Sequence, residues 1–302
     1  MKTNKIFLIA ALLGVTLASC QKEDENNSNY NPELGWRLTV KASKDIDTKA
    51  LELSGSTLNA FWKEGEKVAV YYGGTILGTL TATVGIPKTS ATLTGNIQKP
   101  DGLNVGSALM LLFPGRDDEQ WTYMGQNGSE PGSELDGFDY STAALSVSAI
   151  DDVNMTITTT APASFTNEQS VYRFGFKVDG AGEAIAVKSF TITSNRGKLV
   201  LDREYSGSKW VSNYGSLTVE SSSAPTDNIY YVSLRNENTT EDDTYSISVV
   251  ASDNALYQGE KTIASSNLIN GIFLGAKSLN VSGKKFAPAP AGKEISKEIE
   301  VL

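Results

Sequence analysis

Beyond residue 35, no stretch of twelve or more residues keeps a 3.6-residue apolar period. What recurs instead is alternation. Trp36-Arg37-Leu38-Thr39-Val40-Lys41-Ala42 places apolar and polar side chains on opposite faces of one strand. Val68, Val70 and Tyr72 share a face in the same way, after a turn at Glu64-Gly65 and before one at Gly73-Gly74. Leu109-Met110-Leu111-Leu112-Phe113 is apolar throughout and stops at Pro114-Gly115, so it reads as a strand covered on both faces or as a core segment. Short strands split by Gly, Asn and Asp turns continue to residue 281. Many short strands at even spacing imply β-sandwiches. The fold class expected is all-β, with one sandwich over 36–166 and a second over 167–283, meeting near Asn167. Residues 115–141 hold Trp121 and Tyr123 but no period, and read as a long surface loop.

The first twenty residues follow another logic. Lys2 and Lys5 precede an apolar run over 6–15 and then Leu17-Ala18-Ser19-Cys20. A basic start, a short apolar stretch and small residues at a cleavage point describe a secretory signal. Cys20 is the one cysteine of the chain, and its context resembles a bacterial lipobox, in which the thiol is acylated. The other reading is an ordinary signal peptide with an incidental thiol. On the lipobox reading 1–19 is the leader and 20–35 a polar tether, with the membrane held through lipid on Cys20. Acyl chains contribute roughly 0.8 kcal/mol per buried CH₂. The acidic run Gln21-Lys22-Glu23-Asp24-Glu25 resembles the surface-export signal of lipoproteins in the Bacteroides group. The location expected is the outer face of the cell outer membrane.

Composition removes several kinds of chemistry. The chain has no histidine, which excludes Ser-His-Asp and Cys-His nucleophile systems and histidine-held metals. With Cys20 consumed by lipid, thiolate catalysis and disulfides go as well. A net charge of −9, more negative once Lys2 and Lys5 leave, argues against nucleic acid as a partner. No glycine-rich phosphate loop opens a helix. Asp117-Asp118-Glu119 and Asp151-Asp152-Val153-Asn154 carry oxygen ligands for calcium but lack the spacing of a known loop. Trp121 with Tyr123, and Trp210 with Tyr214, could form glycan-stacking platforms or belong to a core. No metal, cofactor or catalytic residue is expected, and an enzyme is the least favoured class.

Two segments stand apart from the sandwiches. Residues 43–50 form a polar loop holding Lys44 and ending in Thr48-Lys49-Ala50. Exposed polar loops are where proteases nick folded proteins. At the other end, 284–302 begins with a Pro-Ala linker and finishes with Ile295, Ile299 and Val301 on one face of a strand without a hairpin partner.

With these residues in place, the chain resembles the fimbrillin-type pilin lipoproteins of Bacteroides and Porphyromonas. The resemblance rests on Cys20, the strand at 36–42, Thr48-Lys49-Ala50, the Trp62 to Tyr71 segment, and Tyr172-Arg173-Phe174-Gly175-Phe176-Lys177-Val178. It implies two tandem transthyretin-like sandwiches that polymerise into pili or cap them. It also implies cleavage between Lys49 and Ala50, loss of the first strand, and its replacement by a donor strand from another subunit. Ile295, Ile299 and Val301 are the candidate donor residues. The partners implied are other fimbrial subunits, in a homo- or heteropolymer, and a host or bacterial surface ligand. The alternative is a monomeric surface lipoprotein that binds glycans for nutrient uptake, which requires Trp121 and Trp210 side by side on an open face.

Overall fold

In the computed structural model, the described residues are 35–44, 52–54, 57–59, 61–116, 120–130, 134–178, 184–221, 228–237, 240–271, 273–274 and 299–301. Among them there is no α-helix, and the protein is all-β as expected; two 3₁₀ turns occupy Glu134–Phe138 and Ser265–Asn267.

The first set of strands is β1 (Trp36–Lys44), the short hairpin β2 (Glu52–Ser54) and β3 (Thr57–Asn59), β4 (Lys67–Tyr72), β5 (Thr75–Val84), β6 (Ser90–Ile97), β7 (Ala108–Phe113), β8 (Gln120–Thr122), β9 (Ser141–Asp151), β10 (Thr156–Thr159) and β11 (Ala163–Asn167). Eight of these form one sheet in the order β10-β1-β11-β9-β7-β4-β5-β6, and β1 also pairs β6. The ladder therefore closes on itself through β1. That strand runs antiparallel to β6 from Trp36 to Ser43, and parallel to β10 and then β11 on its other side. Inside lies a core built from Leu38 and Val40 of β1, Val68 and Val70 of β4, Leu80, Leu93, Leu109, Leu111 and Phe165.

The second set comprises β12 (Ser170–Val178), β13 (Val187–Ser194), β14 (Leu199–Ser206), β15 (Lys209–Tyr214), β16 (Ser216–Glu220), β17 (Ile229–Asn236), β18 (Asp243–Ala251), β19 (Leu256–Ile263), β20 (Phe273–Leu274) and β21 (Ile299–Val301). One sheet runs β15-β14-β17-β12-β20 and the other β16-β13-β18-β19. Tyr172, Phe174, Phe176, Phe190, Ile192, Val232 and Ile247 fill the space between them, which makes a β-sandwich. The chain leaves the first core at Phe165 and enters the second at Tyr172.

A third cluster joins the two. β4 and β7 turn Val68, Val70, Leu109 and Leu111 inward, and their other faces present Ala69, Tyr71, Met110 and Leu112 to Trp121, Tyr123, Tyr140, Val200, Tyr205 and Trp210. This is why residues 109–113 read as apolar throughout: the strand has a core on each side. The region 115–141 is not the surface loop expected from its polar composition. Its β8 pairs β14, and Trp121, Tyr123, Leu135 and Tyr140 are buried. A buried polar side chain ties this connection to the second sandwich. Gln126 donates to the carbonyls of Tyr123 and Ser233 and accepts from the Ser233 amide.

Two hairpins also meet at this junction. The β4–β5 turn uses Gly73 at φ +61° and Gly74 at φ +84°. A Cβ on Gly74 would lie 2.4 Å from the Ser208 backbone nitrogen in the β14–β15 turn, so the close approach requires glycine.

Candidate functional site: the slot of the first strand

The side chains of β1 alternate strictly, and Leu38, Val40 and Ala42 point into the core with 0%, 1% and 3% exposure. Arg37, Thr39 and Lys41 face solvent. Each inward residue has defined neighbours. Leu38 lies beside Ile157, Val40 beside Leu93, and Ala42 between Ala91 and Ala163. Both backbone edges of β1 are hydrogen-bonded. Lifting it out would expose the edge of β6 on one side and of β10 and β11 on the other, along with the apolar floor. Unpaired edges over an apolar groove form a template for another strand.

The strand ends differently from its sequence reading. Ser43 and Lys44 were expected in a polar loop; they are the last two residues of β1, and the Lys44 side chain has no exposure. Its ammonium donates to the Phe61 carbonyl at 3.0 Å and to Glu66 Oε2 at 3.1 Å. It lies 3.6 Å from the centre of the Trp62 ring and 4.8 Å from that of Phe113. Trp62 stands edge-on to Phe113 and Phe165, which fixes the cage. Burial pushes the Lys44 ammonium down to about 8, against the pull of Glu66 and, through space, of buried Asp139. A lysine surrounded by low-dielectric aromatic surface shows this competition between desolvation and a paired charge.

The Lys49-Ala50 cleavage candidate, Cys20 and Ile295 lie outside the described residues. The tail does have a partner. Ile299 and Val301 belong to β21, which pairs antiparallel with β12 opposite Val178 and Phe176. The tail expected to lack a hairpin partner therefore extends the β12 edge of its own sheet, next to the short parallel pairing of β20. Sheet edges recruit strands by backbone bonding that no side-chain pattern announces.

The aromatic and acidic candidates also resolve. Trp121 and Trp210 are adjacent, with ring centres 4.5 Å apart, but Trp121 is 1% exposed and also stacks on Tyr140 at 4.8 Å. Arg203 covers Trp210 at 3.8 Å. The open platform that a glycan would need is thus occupied by the protein itself. Asp151 accepts from the amides of Val153 and Asn154 and from the Asn154 side chain, which closes a turn and holds its carboxyl below the usual range. Asp117-Asp118-Glu119 lie outside the described residues. Among the described residues no acidic or sulfur cluster is placed to hold a metal ion.

A buried charge cluster ties the end of β11 to the second sandwich. Glu168 accepts from Arg203 at 2.8 Å and Arg235 at 2.5 Å through one oxygen and from Thr142 at 2.7 Å through the other. Arg235 also donates to the Glu168 carbonyl.

No family model matches the chain, and no curated protein matches it. Solved structures resemble it loosely. A Bacteroides uniformis structure provisionally assigned to cell adhesion has a TM-score of 0.39 at 10% identity, over 73% of this chain and 84% of that one. A similarly assigned structure from Bacteroides eggerthii gives 0.35 at 9%, over 89% and 95%. A single-substitution form of the shaft pilin spaA of Lactobacillus rhamnosus GG gives 0.33 at 11%, over 79% and 95%. Likeness of this degree decides nothing about function.

Proposed function

We propose that this protein is a structural or accessory subunit of a cell-surface fimbria, exported as a lipoprotein on Cys20 and assembled by strand exchange at the slot of β1. The observation that carries this reading is the closure of the first sheet by a single N-terminal strand with both edges paired. Among the described strands, this one can depart and open the closed sheet without a cut between the two cores. Burying Leu38 and Val40 contributes roughly 1.5–3 kcal/mol each, so the opened slot favours refilling. A donor from another subunit restores the ladder, and head-to-tail donation does not close on itself, which yields a filament. The members of the filament are copies of this chain or other fimbrial subunits, held at the outer membrane surface and serving adhesion. Removal of β1 would follow cleavage between Lys49 and Ala50.

The test is a lock. Lys41 and Thr92 face solvent in register on β1 and β6. Replacing both with cysteine ties the strand in place under oxidising conditions. Producing cells viewed by electron microscopy with labelled protein should show filaments containing the native chain, and none containing the oxidised variant. Filaments that incorporate the locked chain normally would overturn strand exchange at this slot.

A further inference from the structure

The slot holds more than apolar pockets. At its far end stand Glu66, the Phe61 carbonyl, Trp62 and Phe113, all now engaged by Lys44. Glu66 is largely covered, with 18% side-chain exposure, and Asp139 nearby is buried at 3%. When β1 leaves, its lysine leaves with it. The slot then ends in carboxylate and carbonyl oxygens against aromatic rings, with their ammonium partner gone. One position earlier in the inward series, Ala42 sits in a transverse row with Ala91 and Ala163, each 5% exposed or less. That row is built from small, buried side chains, so a larger one there would have to displace its neighbours.

We infer that the slot reads charge as well as shape: it selects a strand of a neighbouring subunit that carries a basic residue at the Lys44 position, preceded two places earlier by alanine or glycine. This rests on the strand-exchange reading and adds its specificity. The physical ground is asymmetric. A strand with a basic residue restores two hydrogen bonds and two cation–π contacts. A strand without one strips the ammonium from the Phe61 carbonyl and leaves the largely covered Glu66 carboxylate with the Lys63 amide but no counter-charge, which is where discrimination between partners arises. The occupant is therefore a strand that repeats the inward order of Leu38, Val40, Ala42 and Lys44. The chain's own tail offers Lys297, but two places to either side of it stand Ile295 and Ile299. Either isoleucine would fall in the alanine row, whereas Leu279, Val281, Gly283 and Lys285 repeat the inward order of β1 with glycine at the small position, so the fitting donor is that segment of a second copy of this chain. Overfilling a packed row costs about 1–3 kcal/mol.

The experiment uses the full chain with a specific protease site inserted in 45–50, cut after purification. Fluorescent peptides of residues 36–44 are offered as exchange partners: the native peptide, Lys44→Met, Lys44→Glu and Ala42→Ile. The native peptide should enter. Lys44→Met should bind about tenfold more weakly, Lys44→Glu about a hundredfold or more, and Ala42→Ile about tenfold. In a cut chain carrying Glu66→Gln, the advantage of the native over the Lys44→Met peptide should shrink, because only the Phe61 carbonyl and the two rings remain to reward the lysine. Equal binding of those two peptides to the native slot would overturn the charge reading and leave strand exchange standing. Entry of no peptide at all would overturn strand exchange itself, and the charge reading with it.

Discussion

The Lys44 ammonium lies over the face of the Trp62 ring, 3.6 Å from its centre, with its side chain wholly shielded from water. The contact places a charge at the inner end of the first strand, in surroundings that disfavour it. Burial is the largest influence on this group, and the attraction of Glu66 offsets it only in part.

The first prediction is a pH dependence. Lys44 titrates at about 8 when folded and at 10.5 when not. Between those values the unfolded chain holds a proton that the folded chain has released, so stability rises with pH across that window. At about 1.4 kcal/mol per unit, the gain is roughly 3–4 kcal/mol. Tyr123, Tyr172 and Tyr245 are raised above 10 by burial, so above that pH the unfolded state loses protons the folded state keeps, and stability falls. Denaturant unfolding from pH 7 to 11 should show a rise and then a decline. The Lys44→Met variant should keep the decline and lose the rise.

Limited trypsin digestion should spare the bond after Lys44. A protease must bind an extended, accessible backbone, and β1 is paired on both edges. N-terminal sequencing of the large fragment should find Ala50 rather than Asp45. A fragment beginning at Asp45 would mean that the Lys44 cage opens readily.

Trp121 joins the two cores through Tyr140 and Trp210. Replacing it with alanine should cost about 3–5 kcal/mol, the usual range for truncating a buried aromatic. Calorimetry should then separate one unfolding transition into two, because the aromatic junction couples the cores. A single unshifted transition would show that the junction contributes little.

Deleting residues 293–302 removes β21 and bares the β12 edge from Phe176 to Val178. A three-residue edge strand adds few ladder bonds, so the loss should be about 1 kcal/mol. Amide exchange at residues 176–178 should quicken while the rest of β12 keeps its protection. Global unfolding on truncation would make the tail an essential part of that sandwich.

Replacing Cys20 with alanine should release the protein from membranes into the soluble fraction. Mass spectrometry of the native N-terminal peptide should find an acylated cysteine, and an unmodified residue 20 would remove the lipoprotein reading.

What the sequence by itself determined is the local alternation and its consequences. Period two along 36–42 placed Leu38 and Val40 inward and Thr39 outward, as the structure has them. Glycine pairs marked turns, and the unbroken apolar run at 109–113 marked a buried segment, which the structure makes a strand with a core on each side. These are properties of neighbouring residues, so a linear reading reaches them. Only the tertiary structure decided which edges β1 closes, that Lys44 is caged, that Trp121 is a junction rather than a platform, and that the tail pairs β12. A lysine is buried only if aromatic rings and a carboxylate from other segments surround it, and a polar stretch goes inward only if distant groups satisfy its hydrogen bonds. Those conditions depend on residues far apart in the chain, and backbone edges pair without consulting side chains, so the pattern of any one segment contains neither.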